Sequence, residues 1–402
     1  MTTRRNLLML AGAAAAAAAT AACEATDEAS PAAVRVPDVL VVRTRDGLAV
    51  ARDGGLTPGR AGALSATGST LCLATAADKT TQLDFTTTLA GTRLGGYPVD
   101  GRWTPRVVHA DGSMVALAAP EADPLRPRAR EKTTIVIADS KRILHKITVP
   151  GVIEPDAFTA DRLGLFVLEW LPATAPDHYR VRRLDLGTQS LERLWTRDKV
   201  PVPAGAEEEM RGEGRTAVAS PTGRVLYTLY THQPGHQHTR DLVSGRPGNV
   251  HAFVHTLETE QNWAYCVDLP DPFGHSPSGA YSIALSADGS LLFVVDLAAG
   301  ALARISTETL KVLDIVKVGS DTGPAYAAAS DEHLYLGGDH GVQVLDRAGK
   351  AIEHWATAPV RGLAVSRDLQ RVYAAREGGV TWRGTTSGDA ALAGVTGLVR
   401  VA

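Results

Sequence analysis

The chain has 402 residues, with 41 Lys+Arg against 44 Asp+Glu, for a formal net charge of −3. Apolar residues make up 44% and charged residues 21%, the balance of a folded chain rather than a disordered one. The near-neutral charge excludes the strongly basic profile of a nucleic-acid binder, and the length allows one large repeat domain or two to three ordinary ones.

Residues 1–22 read as an export signal. Arg4 and Arg5 open it, and an uncharged run over 7–22 follows, 16 residues long. That is shorter than the roughly 20 residues a membrane-spanning helix needs. The stretch Thr3-Arg4-Arg5-Asn6-Leu7-Leu8 resembles the core of a twin-arginine signal. Ala21 and Ala22 before Cys23 resemble a bacterial lipobox, although Thr20 stands where an aliphatic residue is usual. The resemblance implies that Cys23 receives diacylglycerol and becomes the mature N-terminus, on the outer face of the cytoplasmic membrane. The lipid is then the only membrane contact. Residues 23–38 are rich in Pro, Ala, Ser and acids and read as a flexible tether.

From residue 39 onward short β-type runs alternate with turns, and no long helical period appears. One phrase recurs: small or apolar residues, a Ser, Thr or His, a polar turn, then an apolar strand. It is clearest as ALSATGSTLCLAT at 63–75, VVHADGSMVALAA at 107–119 and IALSADGSLLFVVD at 283–296. The anchors are Ser65, His109, Thr159, Ser220, Ser286, Ser330 and Ser366, spaced 44, 50, 61, 66, 44 and 36 residues apart. Such periods point to a β-propeller. Each phrase is a hairpin, with Asp-Gly or Thr-Gly pairs supplying several of the reversals. Third strands such as 301–307 and 179–186 and fourth strands such as 311–318 and 142–149 complete four antiparallel strands per blade. The start, 39–55, aligns with the second and third strands of a blade, and the end, 395–402, with an innermost strand. The termini then share one blade and close the ring, giving an all-β fold of eight blades, with seven as the alternative, in a single domain over 39–402.

The segment 283–318 resembles the YVTN-type β-propeller repeat in its hairpin, following turn and last outer strand. It departs from that family at Arg304-Ile305-Ser306, where an Asp-rich turn is common. The resemblance extends to 39–402 at the level of architecture.

The longest spacings hold two insertions, 198–214 and 231–250. Long loops in a compact repeat are the places to look for function. Six of the twelve histidines fall between 232 and 275: His232, His236, His238, His251, His255 and His275. His236 and His238 lie two apart, so on an extended chain both rings face one side, which permits a shared divalent metal. His232 is the third candidate ligand. His251 and His255 are too far apart along a strand for one ion. No cysteine or close carboxylate pair joins the cluster, so a structural zinc site is not indicated. Asp241, His251, His255 and Glu207, Glu208 and Glu209 mark a possible binding loop, the three glutamates also reading as a solvated acidic stretch. Trp263, Tyr265 and Phe273 read as packing between blades. Cys72 and Cys266 sit in apolar runs and read as small core residues in distant blades, with no disulfide between them.

No Gly-x-Ser-x-Gly elbow and no Gly-x-x-x-x-Gly-Lys-[Ser/Thr] loop occurs. The expectation is therefore a monomeric, non-catalytic binding or scaffold module that takes a protein, peptide or glycan on one propeller face. The alternatives are a propeller enzyme, since YVTN-like propellers resemble lactonase-like hydrolases and quinoprotein-like dehydrogenases in scaffold, or a metal-handling lipoprotein using the loop 232–238.

Overall fold

The computed structural model describes residues 35–248 and 250–402. The expected export signal with Arg4 and Arg5, the expected lipid anchor Cys23 and the expected tether up to residue 34 lie outside the described residues. The rest forms eight antiparallel blades in a ring, a β-propeller. Blade 1 is composite. Its innermost strand is Gly397–Val401, followed outward by Leu40–Thr44, Gly47–Arg52 and Gly55–Leu56. The join is an antiparallel pair running from Leu40 opposite Val401 to Arg43 opposite Gly397. Blades 2 to 8 then follow in chain order, each starting at its innermost strand. The seven anchors fall one to a blade, and the composite blade makes eight.

The anchors have a defined job. In blades 4, 6 and 8 the hydroxyl of Thr159, Ser286 or Ser366 donates to the carboxylate two residues on: Asp161, Asp288 or Asp368, at 2.5, 2.6 and 2.5 Å. The same hydroxyl accepts the backbone N–H five residues on, from Gly164, Leu291 or Arg371. This locks the first hairpin of the blade. His109 acts across a seam instead. Its Nδ1 lies 2.6 Å from Asp111 Oδ1 and its Nε2 lies 3.2 Å from the carbonyl of Thr159 in blade 4.

Second strands are buried on both faces, as at Val115–Ala118 and Leu291–Asp296. Outermost strands such as Lys311–Lys317 are mostly exposed. The reason is that the core sits between blades rather than within them. Among the described residues, eight apolar clusters fill the eight seams. The seam between blades 1 and 2 is the thinnest, with Leu48, Leu71 and Leu73 as its buried residues. Polar ties supplement it: Arg52 donates to the carbonyls of Thr88, Leu89 and Ala90, and Arg400 to that of Ala66.

The folded body begins earlier than the sequence suggested. Val36 is buried in the seam between blades 8 and 1. Asp38 accepts from Arg371 Nε and from the Tyr373 hydroxyl, both at 2.6 Å. These two residues belong to the propeller and not to the tether.

Blade 5 departs from the pattern. Its outermost ladder strand, Trp263–Asp268, carries an extra short strand, Trp195–Thr196, in parallel. That segment leaves blade 4 and braces the outer edge of blade 5 before the first insertion begins.

Candidate functional site

The two insertions are separate in sequence but emerge on the same face. Residues 197–214 lead into the innermost strand of blade 5, Arg215–Ala219. Residues 231–252 join its second strand, Val225–Tyr230, to its third, Phe253–Glu258. In an up-and-down sheet of four strands, the entry and the second connection lie at the same end.

The first insertion is pinned to blade 4. Tyr179 and Met210 exchange backbone hydrogen bonds of 2.8 and 2.9 Å. Glu207 turns back to Arg182, 2.9 Å away, and to Arg180, 3.3 Å away. Glu209 lies 3.5 Å from His178 and stays half exposed. Glu208 projects toward blade 5. The solvated acidic reading therefore holds only for Glu209, because Glu207 and Glu208 are spent on buried ion pairs and hydrogen bonds.

The second insertion folds over Phe253. The His236 ring stacks on it at 4.3 Å and the His238 ring meets it edge-on at 5.1 Å. A short helix, Thr239–Ser244, follows. Asp241 caps it by accepting the backbone N–H of His238, which makes Asp241 a structural residue. The N–H of Thr239 donates to Glu208 Oε1 at 3.0 Å, tying the insertions together.

Three side chains meet at Glu208. Its Oε2 lies 3.0 Å from Cys266 Sγ, 3.2 Å from His238 Nδ1 and 3.5 Å from His236 Nε2. His238 Nε2 faces Asp268 Oδ1 at 2.5 Å, and Arg240 reaches the other oxygen of Asp268 at 2.6 Å. Cys266 is thus no mere core filler, and it does join the histidines. Cys72 matches the core reading, and both thiols are free. Burial would raise the Glu208 carboxyl, but the His236 and His238 rings beside it hold it well below the usual range. Burial alone would lower His238, but Asp268 and then Glu208 lift it to about 9. Burial, reinforced by the Glu208 charge, pushes the Cys266 thiol up.

Glu208, His238, Arg240 and Cys266 form one wall of a pocket of about 760 Å³. Trp195, Val200 and Val243 stand at its rim, 43%, 56% and 63% exposed. Tyr265 lines it under the Arg197 guanidinium, 5.5 Å from the ring centre. Trp263 and Phe273 pack in the seam between blades 5 and 6, as expected.

The remaining candidates sit elsewhere. His232 bonds Thr231 and meets the Tyr281 ring, away from the cluster. His251 pairs with the ring of His275 at 5.0 Å. His255 is buried against Tyr230 beside the pocket. Cys266, Asp268 and Arg240 were not legible as site residues: they lie 58, 60 and 32 positions after Glu208, with no motif spacing.

Burial pushes His255 down to about 4, with Arg215 and His238 acting in the same direction and Glu208 and Asp156 opposing. A histidine whose folded value is depressed stabilises the fold above the unfolded value of about 6.5, and that contribution is lost as pH falls toward 4. His255→Gln should remove it. The stability gap between wild type and variant, from urea unfolding at pH 7 and pH 4, is expected to shift by about 3 kcal/mol in favour of the variant at the lower pH. A pH-independent gap would contradict a buried neutral His255.

The charged groups of the innermost strands are largely paired with each other. Arg106 meets Glu154 at 3.4 Å and Arg215 meets Asp156 at 2.5 Å, and Arg130, from the loop before Lys132–Ala138, also reaches Glu154 at 2.6 Å.

No protein-family profile and no curated protein sequence matches the chain. Among solved structures, it is similar to the dihydro-heme d1 dehydrogenase NirN, with a TM-score of 0.54 and 11% identity, covering 92% of this chain and 77% of that one. It also resembles the hydrazine synthase of Kuenenia stuttgartiensis, with a TM-score of 0.43 and 15% identity, over 82% of this chain and 97% of that one. A protein of unknown function from Desulfotomaculum acetoxidans gives a TM-score of 0.40 at 13% identity, over 80% and 95%. At 11% identity the likeness to NirN is one of fold alone, and the fold it supports is the eight-bladed propeller.

Proposed function

We propose that this protein is an exported, lipid-anchored propeller of the YVTN-repeat type that acts as a non-catalytic binding module. Its partner is a peptide or protein that places an apolar side chain in the blade 5 pocket. The observation that carries this reading is the pocket itself. Both long insertions are used to build it, and three large apolar side chains stand exposed at its mouth, an arrangement that marks interaction sites. The pairing of the charged groups on the innermost strands supports a binding role over chemistry in the channel.

A photo-crosslinking amino acid at Val243, in the full chain expressed in its own cell envelope, tests the binding role. The control position is Leu313, equally apolar and 53% exposed on the outermost strand of blade 6. A discrete adduct from 243 and none from 313 is expected. Equal labelling from both, or none from either, would overturn the reading. Anchoring is tested separately. Cys23→Ala should move the protein from the membrane to the soluble fraction, and Arg4→Lys with Arg5→Lys should retain it inside the cell. Unchanged fractionation of both variants would sink the lipoprotein reading and leave the pocket test intact.

A further inference from the structure

We propose that Glu208, His238 and Cys266, with His236 as a fourth donor, form a binding site for a zinc-class divalent ion at the wall of the blade 5 pocket. The proposal goes beyond the binding-module reading and does not depend on which partner the pocket takes. It also changes the ligand set expected from sequence: His232 drops out, and a carboxylate and a thiol enter.

The first support is convergence. One donor atom from each of Glu208, His238 and Cys266 lies within 4.8 Å of the others. Around the Glu208 oxygen the separations are 3.0, 3.2 and 3.5 Å. Donors at zinc bond lengths of about 2.0–2.3 Å in a tetrahedron lie roughly 3.3–3.8 Å apart. Glu208, His238 and Cys266 are near that geometry, and His236, which lies outside the 4.8 Å set, joins them only if its ring moves inward.

The second support is how the imidazoles are held. His238 Nε2–H donates to Asp268, which Arg240 fixes in turn. His236 Nδ1–H donates to the backbone carbonyl of Glu209 at 3.1 Å. In each ring the far nitrogen donates to this support, so the near nitrogen faces the cluster, and that of His238 becomes a ligand by losing the proton it shares with Glu208. A carboxylate or carbonyl behind a histidine is the usual outer support of a metal ligand.

The third support is independent of the cluster count. His236 Nε2 is buried, with its side chain 2% exposed, and has no hydrogen-bond partner. A buried polar atom left without a partner is costly. An ion bonded to it would satisfy that nitrogen.

The donor types decide the metal class. Thiolate with imidazole and one carboxylate suits zinc and its softer neighbours, whereas calcium and magnesium call for oxygen ligands alone. On binding, Cys266 bonds as the thiolate and His238 through a deprotonated Nδ1, and both protons pass to solvent.

The test uses the untagged full chain, purified in detergent and treated with a chelator. Zinc chloride is titrated against a chromophoric competitor, and cobalt chloride is added in a parallel sample. The expected result is one equivalent of zinc per chain and a cobalt–thiolate charge-transfer band. Cys266→Ser should abolish the band and weaken zinc binding about a hundredfold. Asp268→Asn, a positioning change behind His238, should weaken it by roughly ten- to a hundredfold while keeping the band. His251→Ala with His275→Ala should change neither, and circular dichroism verifies that each variant is folded. Folded wild type with no stoichiometric zinc would overturn the proposal. So would zinc binding that Cys266→Ser leaves unchanged.

Discussion

Deletion of residues 397–402 is expected to abolish cooperative folding of the propeller. This segment is the innermost strand of blade 1, although the other three strands of that blade come from residues 40–56. It buries Leu398 and Val401 in the seam between blades 8 and 1 and forms the ladder to Leu40–Thr44. Each lost aliphatic side chain costs about 1.5–3 kcal/mol and each ladder hydrogen bond about 1 kcal/mol. The sum is roughly 5 kcal/mol or more, against a total stability of about 5–15 kcal/mol for a folded domain. The deletion also leaves Leu40–Thr44 as an unpaired edge facing the channel, a template for aggregation. Near-ultraviolet circular dichroism should lose the signal of Trp382, which packs in the same seam. A truncated protein that unfolds at the same urea concentration as wild type would contradict closure by a composite blade.

Asp156→Ala should destabilise the protein by about 3–5 kcal/mol, the cost of leaving one member of a buried ion pair alone. Asp156 and Arg215 sit on the innermost strands of blades 4 and 5, 2.5 Å apart, with side chains 11% and 12% exposed. Arg215 also lies against Tyr230, whose hydroxyl accepts a 2.9 Å bond from Tyr179. The pair therefore anchors the floor of the seam beneath the pocket. Asp156→Leu combined with Arg215→Met should recover most of the loss, because two apolar groups of similar volume leave no buried charge behind. Urea unfolding of the single and double variants measures this directly. A single variant within 1 kcal/mol of wild type, or a double variant worse than the single, would show that the pair is not isolated from solvent as described.

The propeller was legible because its determinants are local. The anchors and the reversals beside them lie within five residues of each other, as in Ser286 with Asp288 and Leu291, and the hydrogen bonds they make are the ones that close each hairpin. The composite blade was legible for the same reason, since 395–402 repeats the pattern of an innermost strand. The candidate site was legible only in part. The two-residue step between His236 and His238 was readable, and so was the fact that both insertions are long. Their meeting was not, because it depends on two connections of a four-stranded blade opening at the same end. Glu208 looked like the middle of a solvated run, but Arg180 and Arg182 hold Glu207 back toward blade 4, which turns the next carboxylate toward blade 5. Cys266 in its apolar strand carries no mark that separates it from Cys72, which is a plain core residue. The place of Asp38 in the folded body was not legible because its partners, Arg371 and Tyr373, lie more than 300 residues away.

The central claim is that the two insertions form one ordered pocket wall rather than two solvated loops. Amide hydrogen exchange on the full chain tests it most directly. The amides of Met210 and Arg211 are bonded to Tyr179 and Gln233, and those of Thr239, Asp241 and Leu242 to Glu208 and His238. Peptides covering 206–211 and 236–242 should exchange together, slowed on the order of a hundredfold relative to an unstructured chain. Exchange at the unstructured rate in either segment would show a solvated loop and would remove the pocket on which the functional reading rests.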